Sequence, residues 1–364
     1  MATNPMPRPG ILDIAPYVGG ESKVTGMSRV IRLASNESAL GPSRRAVEVY
    51  HALAGEMHRY PDGASQELRE ALGRRHGLDP RRILCGTGSD ELISLLARCY
   101  AGPGDEVLYS RHGFLMYPIA AQAVGAQPVA VPEKSLTADV DGFLARVSEK
   151  TRLVFIANPN NPTGTFLPRD ALRRLHAGLP RSTLLVIDSA YAEFVARNDY
   201  EPGIELVDAA ENVVMLRTFS KIYALAGLRI GWGYFSAPIA DVMNRVRGVF
   251  NINLPAQAAA VAALEDIAAI DRAREHNDIW RPWLERELAA LGLVVTPSVA
   301  NFVLVRFPAA PRHADAAFAF LQSRGILVRK TGVYGLGEHL RITIGLEEEL
   351  RAVVAALAEF LRAP

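Results

Sequence analysis

"TRLVFIANPNNPTG", Thr151 to Gly164, decides the fold. Its first half carries an unbroken apolar run, Leu153 to Ala157, and its second half is turn chemistry with two prolines and a glycine. A strand covered on one face alternates apolar and polar residues, whereas a continuous apolar run suits a strand covered on both. "STLLVIDSAYAEF" (Ser182–Phe194) repeats the design, and "NVVMLRTFSKIYALAG" (Asn212–Gly227) repeats it again. Helical stretches such as "LPRDALRRLHAGL" (Leu167–Leu179) lie between such strands. That alternation predicts an α/β fold, a mixed, mostly parallel sheet between helices. Further out, "RRILCGTGSDELISLLARCY" (Arg81–Tyr100) reads as strand, tight loop and helix, and "DEVLYS" and "AQPVAVP" add short strands. After about residue 250 the texture changes to long helices, then "ANFVLVRF", "ADAAFAFLQSRG", "ILVRK", "HLRITIG" and a closing helix. The expected division is an N-terminal arm (1–30), a large domain (31–250) and a smaller α+β C-terminal domain (251–364). Polar residues gather just after the strands, where ligands bind in open sheets of this kind.

Composition bounds the function. Of 364 residues, 49% are hydrophobic and 22% charged, and the formal net charge is +1. That is a soluble globular balance with no field to hold nucleic acid or an anionic membrane. Cys85 and Cys99 lack metal-ligand spacing, no His/Asp cluster points to a metal, and a cytoplasmic location is expected. The proline-rich start has no apolar core of signal-peptide length, and no apolar run is long enough to span a membrane.

Four polar clusters remain. "GTGSDE" (Gly86–Glu91) sits between a strand and a helix; it reads either as a phosphate cradle of converging amides or as a helix N-cap, with Ser89 or Asp90 capping. A dinucleotide fingerprint would need glycine at position 91, where Glu91 stands. "NPNNPTG" (Asn158–Gly164) places Asn161 as an amide donor, or is only a turn. "VIDSAYAEF" brings Asp188 to a strand end, with Tyr191 three residues on. Lys221, among Phe219, Ile222, Tyr223 and Leu225, is either an exposed lysine near a helix start or an amine kept in apolar surroundings. Cradle, amide, strand-end carboxylate and semi-buried lysine together suit pyridoxal 5′-phosphate. A lysine holds its aldehyde as a Schiff base, and an acid keeps its ring nitrogen protonated.

The ordered set "YPDG", "GTGSDE", "NPNNPTG", "SKIYALAGLRIGW" and "LRITIG" resembles fold type I aminotransferases, most closely the histidinol-phosphate aminotransferases, over nearly the whole chain. The resemblance implies that Lys221 is the Schiff-base lysine and the acid/base, and that Asp188 pairs with the pyridine nitrogen. Asn161 and Tyr191 would bind the ring's phenolic oxygen, and Phe114 would stack on the ring. Gly88, Ser89 and Asp90, with Ser220 and Arg229, would hold the cofactor phosphate. Tyr60, in "RYPDG", would reach the phosphate in a neighbouring subunit, making a homodimer with shared active sites. Arg341 and Arg329 would take the substrate carboxylate or phosphate, with Tyr17 and Asn36 lining the same pocket. The activity implied is ping-pong transamination between L-glutamate and imidazole acetol phosphate, in histidine biosynthesis.

This chain departs from the resemblance in two places. Ser38 and Ala39 stand where many relatives have Asn-Pro, and "HGF" (His112–Phe114) stands where "PTF" or "PTY" is usual. Both leave the cofactor chemistry intact and bear on substrate identity. The rivals are an aromatic or branched-chain aminotransferase, a pyridoxal-phosphate decarboxylase of a phospho-amino acid, and a non-enzymatic regulator. The last would need a DNA-binding helical module, and the site motifs already begin at Asn36.

Overall fold

The computed structural model describes residues 6–362 except 18, 22, 25 and 27–29, so part of the expected 1–30 arm lies outside the described residues. Its strands are β1 (Ile31–Leu33), β2 (Ile83–Gly86), β3 (Glu106–Ser110), β4 (Gln127–Val131), β5 (Thr151–Ala157) and β6 (Leu184–Asp188). They continue as β7 (Val213–Thr218), β8 (Gly231–Tyr234), β9 (Val294–Thr296), β10 (Phe302–Arg306), β11 (Ile326–Lys330) and β12 (His339–Thr343). A seven-stranded sheet runs β2-β8-β7-β6-β5-β3-β4, and a five-stranded sheet runs β1-β11-β12-β10-β9.

The large sheet is parallel from β7 through β4, and β8 alone runs against both its neighbours. Its central strands are buried on two sides. Val154, Ile156, Leu185, Ile187, Val213 and Met215 enter one core. Leu153, Phe155, Leu184, Val186, Val214 and Leu216 enter another on the opposite face. This two-sided burial explains the unbroken apolar runs. Pairing of Ala157 with Asp188, and of Asp188 with Leu216, aligns the carboxyl ends of β5, β6 and β7. The loops bearing Asn161, Tyr191 and Lys221 therefore leave the sheet side by side.

Packing runs across residue 250, where the texture of the sequence changes. β1 adds to the small sheet, parallel to β11. The helix Leu254–Glu265 presents Ala256, Ala259, Ala260 and Ala263 to the core of the large sheet. These small side chains let it lie close against the helices Arg44–Ala52 and Gln66–His76. The next helix, Ile267–Ala290, belongs to both units. Ile270 and Ala273 pack in the large core, and Leu284 and Leu288 pack in the small one. One helix thus contributes to both cores, and residues 31–33 pair with the small sheet.

Candidate active site

The aligned strand ends open into a cleft of about 390 Å³ between the two sheets, within the range of about 300–1,000 Å³ common for small-molecule sites. Asp188, the last residue of β6, is buried at its floor. The Tyr117 hydroxyl donates to Asp188 Oδ2 at 2.8 Å, and the Ala190 amide donates to Oδ1 at 3.3 Å. Burial raises the carboxyl to about 6 against these hydrogen bonds. A buried carboxylate facing a cleft calls for a cationic partner there.

Lys221 enters from the loop after β7. Phe219, Ile222, Tyr223 and Leu225 are buried in the core below, so they anchor the backbone and do not ring the amine. The loop closes on itself through Phe219 N–H to Ile230 C=O (3.1 Å) and Leu225 N–H to Phe219 C=O (2.9 Å). Lys221 Nζ emerges half-buried, donates to the Ser35 carbonyl at 3.0 Å and lies 5.7 Å from the Tyr191 ring centre. Burial, followed by the Arg341 guanidinium, lowers its amine to about 7. The apolar neighbours noted in the sequence therefore bury the loop, and the guanidinium charge adds to that burial.

At one end the helix Ser89–Tyr100 begins with Gly88 as N-cap, at φ 79°, and no side chain caps it. Neither Ser89 nor Asp90 serves as the cap, so the first amides stay available to an anion. The backbone there is crowded: a Cβ on Gly231 would stand 2.4 Å from Ser89 N, and one on Gly88 2.5 Å from Arg229 Nη2. Arg229 reaches Ser220 Oγ at 3.4 Å and Asp90 Oδ1 at 2.9 Å. Glu91 accepts from the Thr87 amide and from Asn251 Nδ2 (2.9 Å), which braces the turn.

The opposite wall carries the arginines. Arg329 and Arg341 are directly paired across β11 and β12, and both are buried. Leu340, Ile342 and Ile344 face the small core, so the alternation turns Arg341 to the cleft. Arg341 donates to the Asn161 side-chain carbonyl and, at 2.6 Å, to the Ala34 carbonyl. No carboxylate lies within ion-pair distance of it among the described residues, and its Nε is buried without a hydrogen-bond partner. Asn36, in left-handed conformation at φ 55°, donates from Nδ2 to the Tyr191 hydroxyl at 2.9 Å. Its Oδ1 accepts from Thr343 at 3.2 Å. Asn36 thus positions Tyr191, and its amide is already engaged. Burial raises the Tyr191 phenol.

Tyr17 and Phe114 line the cleft, the latter edge-on to Tyr117 with ring centres 5.8 Å apart. Tyr60 does not reach its own chain's cleft; it is 81% exposed and stacks on Phe250 at 4.6 Å. Sequence reasoning passed over Tyr117, Ser35, Ala34 and Tyr334. The family model "Aminotransferase class I and II" matches residues 28–357.

The chain belongs to the class I and II aminotransferases.

Two curated relatives of this aminotransferase are the histidinol-phosphate aminotransferases of Paramagnetospirillum magneticum and Rhodospirillum centenum. The first is 60% identical over 99% of this chain and 100% of its own length. The second is 60% identical over 99% of each. The crystal structure of histidinol-phosphate aminotransferase from Sinorhizobium meliloti, in complex with pyridoxal-5′-phosphate, superposes with a TM-score of 0.88 at 32% identity, covering 98% of this chain and 97% of that one. The fold is therefore that of fold type I aminotransferases. Aminotransferases of this family work with pyridoxal 5′-phosphate, and the residues present fit it. The uncapped helix start suits its phosphate, the buried Asp188 suits a protonated ring nitrogen, and the amine held near 7 suits its aldehyde. No group of three or more His, Cys, Asp or Glu that could hold a metal occurs among the described residues.

Proposed function

We propose that this aminotransferase moves an amino group between L-glutamate and imidazole acetol phosphate, giving 2-oxoglutarate and L-histidinol phosphate in two half-reactions at one site. Arg341 carries the reading: it is buried, without a carboxylate partner among the described residues, and placed opposite Arg329. A guanidinium fork suits carboxylate and phosphate alike, and this reaction needs one site to take both. The names of relatives at 60% identity over nearly the full length support histidinol phosphate as one of the two amines.

The residue roles follow the geometry. Ser89 and Asp90 amides, Ser220 and Arg229 would hold the cofactor phosphate. Asp188 would keep positive charge at the ring nitrogen, Asn161 and Tyr191 would face the phenolic oxygen, and Phe114 would cover the ring. Bound there, pyridoxal 5′-phosphate supplies an aldehyde that condenses with amines and a ring that accepts electrons when a substrate Cα–H bond breaks. Lys221 Nζ takes the proton leaving that Cα, which requires a neutral amine. Tyr17 closes the substrate side.

We also infer a homodimer in the cytoplasm, with sites shared between subunits. Met57, Tyr60, Val249 and Phe250 are exposed apolar residues, and an exposed cluster of this kind favours a partner. Tyr60 would then reach the partner's phosphate cradle. Cys85 and Cys99 are free thiols, which suits a reducing compartment. Among the described residues no helix is long and apolar enough to cross a membrane.

The test is a half-reaction. Holoenzyme is mixed separately with histidinol phosphate, glutamate and phenylalanine, and the visible absorbance of the bound cofactor is followed. Bleaching by the first two is the expected result. Preferential bleaching by phenylalanine would overturn the substrate assignment in favour of aromatic amino acids.

A further inference from the structure

His112 stands two residues before Phe114, in the loop that follows β3, and its ring crosses to the other domain. Its Nδ1 lies 2.6 Å from the carbonyl oxygen of Tyr334, in the turn that follows β11. A carbonyl can only accept, so Nδ1 carries the proton. The other ring nitrogen, Nε2, lies 3.6 Å from Glu133 Oε2. The same Glu133 accepts from the His112 backbone amide through Oε1 at 3.2 Å. Glu133 Oε2 is buried without a hydrogen-bond partner, and burial raises this carboxyl. At 3.6 Å the Nε2–Oε2 approach is too long for a hydrogen bond, so Glu133 holds His112 through its backbone amide. Arg111 and His339 are the other charged or titratable groups facing this pair.

The chain Glu133, His112, Tyr334 thus joins two walls of the cleft. The loop bearing Phe114 forms the wall for the cofactor ring. Tyr334 is buried and stands with Arg329 and Arg341 at the wall for the substrate anion. The Tyr334 turn is itself stiff: the Thr331 carbonyl accepts from the Tyr334 (3.0 Å) and Leu336 (3.1 Å) amides, and the Thr331 hydroxyl, with one proton to give, lies 2.8 Å from the Leu336 and His339 carbonyls. Gly335 packs under the imidazole, where a Cβ would make only an ordinary contact at 3.5 Å, and its φ of 76° is what favours glycine there. From this we infer that His112, held between Glu133 and the Tyr334 carbonyl, is a positioning residue that fixes the distance between the ring wall and the anion wall, and so tunes substrate affinity.

This inference rests on the proposed transamination, and its test separates the two. Holoenzymes carrying His112→Ala, His112→Asn and His112→Gln are assayed for KM and kcat with whichever of histidinol phosphate and glutamate the wild type accepts. If neither reacts, the substrate assignment fails by itself, and KM is taken with the donor that does react. Asparagine places an amide where Nδ1 was and keeps the bond to Tyr334; glutamine reaches only toward Glu133. Losing a buried hydrogen bond predicts a KM raised about tenfold in the Ala and Gln variants, with kcat and cofactor absorbance nearly unchanged. The Asn variant should stay close to wild type. An unchanged KM in His112→Ala, or equal shifts for Asn and Gln, would overturn the inference. So would a common drop in melting temperature without a KM difference, which would leave His112 only a structural role.

Discussion

Burial lowers Lys221 to about 7 and raises Asp188 to about 6, one cause acting with opposite sign on a base and an acid. For Lys221 the consequence is testable without turnover. Cofactor-free protein should capture pyridoxal 5′-phosphate faster as pH rises through about 7, because only the neutral amine adds to an aldehyde; stopped-flow absorbance would read this. A rate that is flat across neutrality would contradict it. The same group raises folding stability with pH between about 7 and 10.5, since the unfolded chain there binds the extra proton. Lys221→Ala should abolish transamination and keep the fold, judged by circular dichroism. Tyr117→Phe removes one donor from a buried carboxylate, so Asp188 should titrate higher still and kcat should fall about tenfold; a shift only in KM would count against that role. Three side chains that line the cleft, Lys221, Asp188 and Asn161, were legible in the sequence because each sits at the end of an apolar run or within a few residues of it. Ser35 and Ala34 were not, since they act through carbonyls that every residue owns. Tyr117 was hidden as well: fully buried and stacked on Phe155 at 4.7 Å, it looks like core until its hydroxyl is placed.

The central strands announced themselves because both of their faces are covered. The strand "GWGY" did not, because two glycines weaken the pattern that marks a strand. Those glycines have steric reasons. Gly231 sits between Gly86 of β2 and Thr218 of β7, against the first turn of the helix Ser89–Tyr100. Gly231→Ala should therefore push the helix start away from the cradle and weaken cofactor affinity at least tenfold, with the small domain undisturbed; a dissociation constant from absorbance titration measures it. The Ala-rich helix Leu254–Glu265 was recognisable as a helix, but not as part of the large core. Apolar residues surround it, so no stripe shows which core it joins, and the change of texture near residue 250 does not reveal that it packs with the large core.

Across the whole molecule, the cleft exists only where two cores meet, and Ile267–Ala290 fastens one to the other. A second copy would complete the site if Tyr60 crosses to it. Mixing and reassociating inactive Lys221→Ala with weakly binding Tyr60→Ala should then restore activity above that of either alone, because the hybrid holds one native site; no gain would argue for self-contained subunits. The pairing of β1 with β11 has a further consequence. Residues 31–33 find their partners only at 326–328, near the far end of the chain. During synthesis every strand of the large sheet has left the ribosome before that partner exists. The first strand must wait as an unpaired segment, and the small sheet closes late, at the entropic cost of a very long loop. The half of the cleft that suits a cofactor is thus spelled out before Arg329 and Arg341 have been translated, and the nascent protein can acquire its amine-bearing pocket ahead of its grip on substrate.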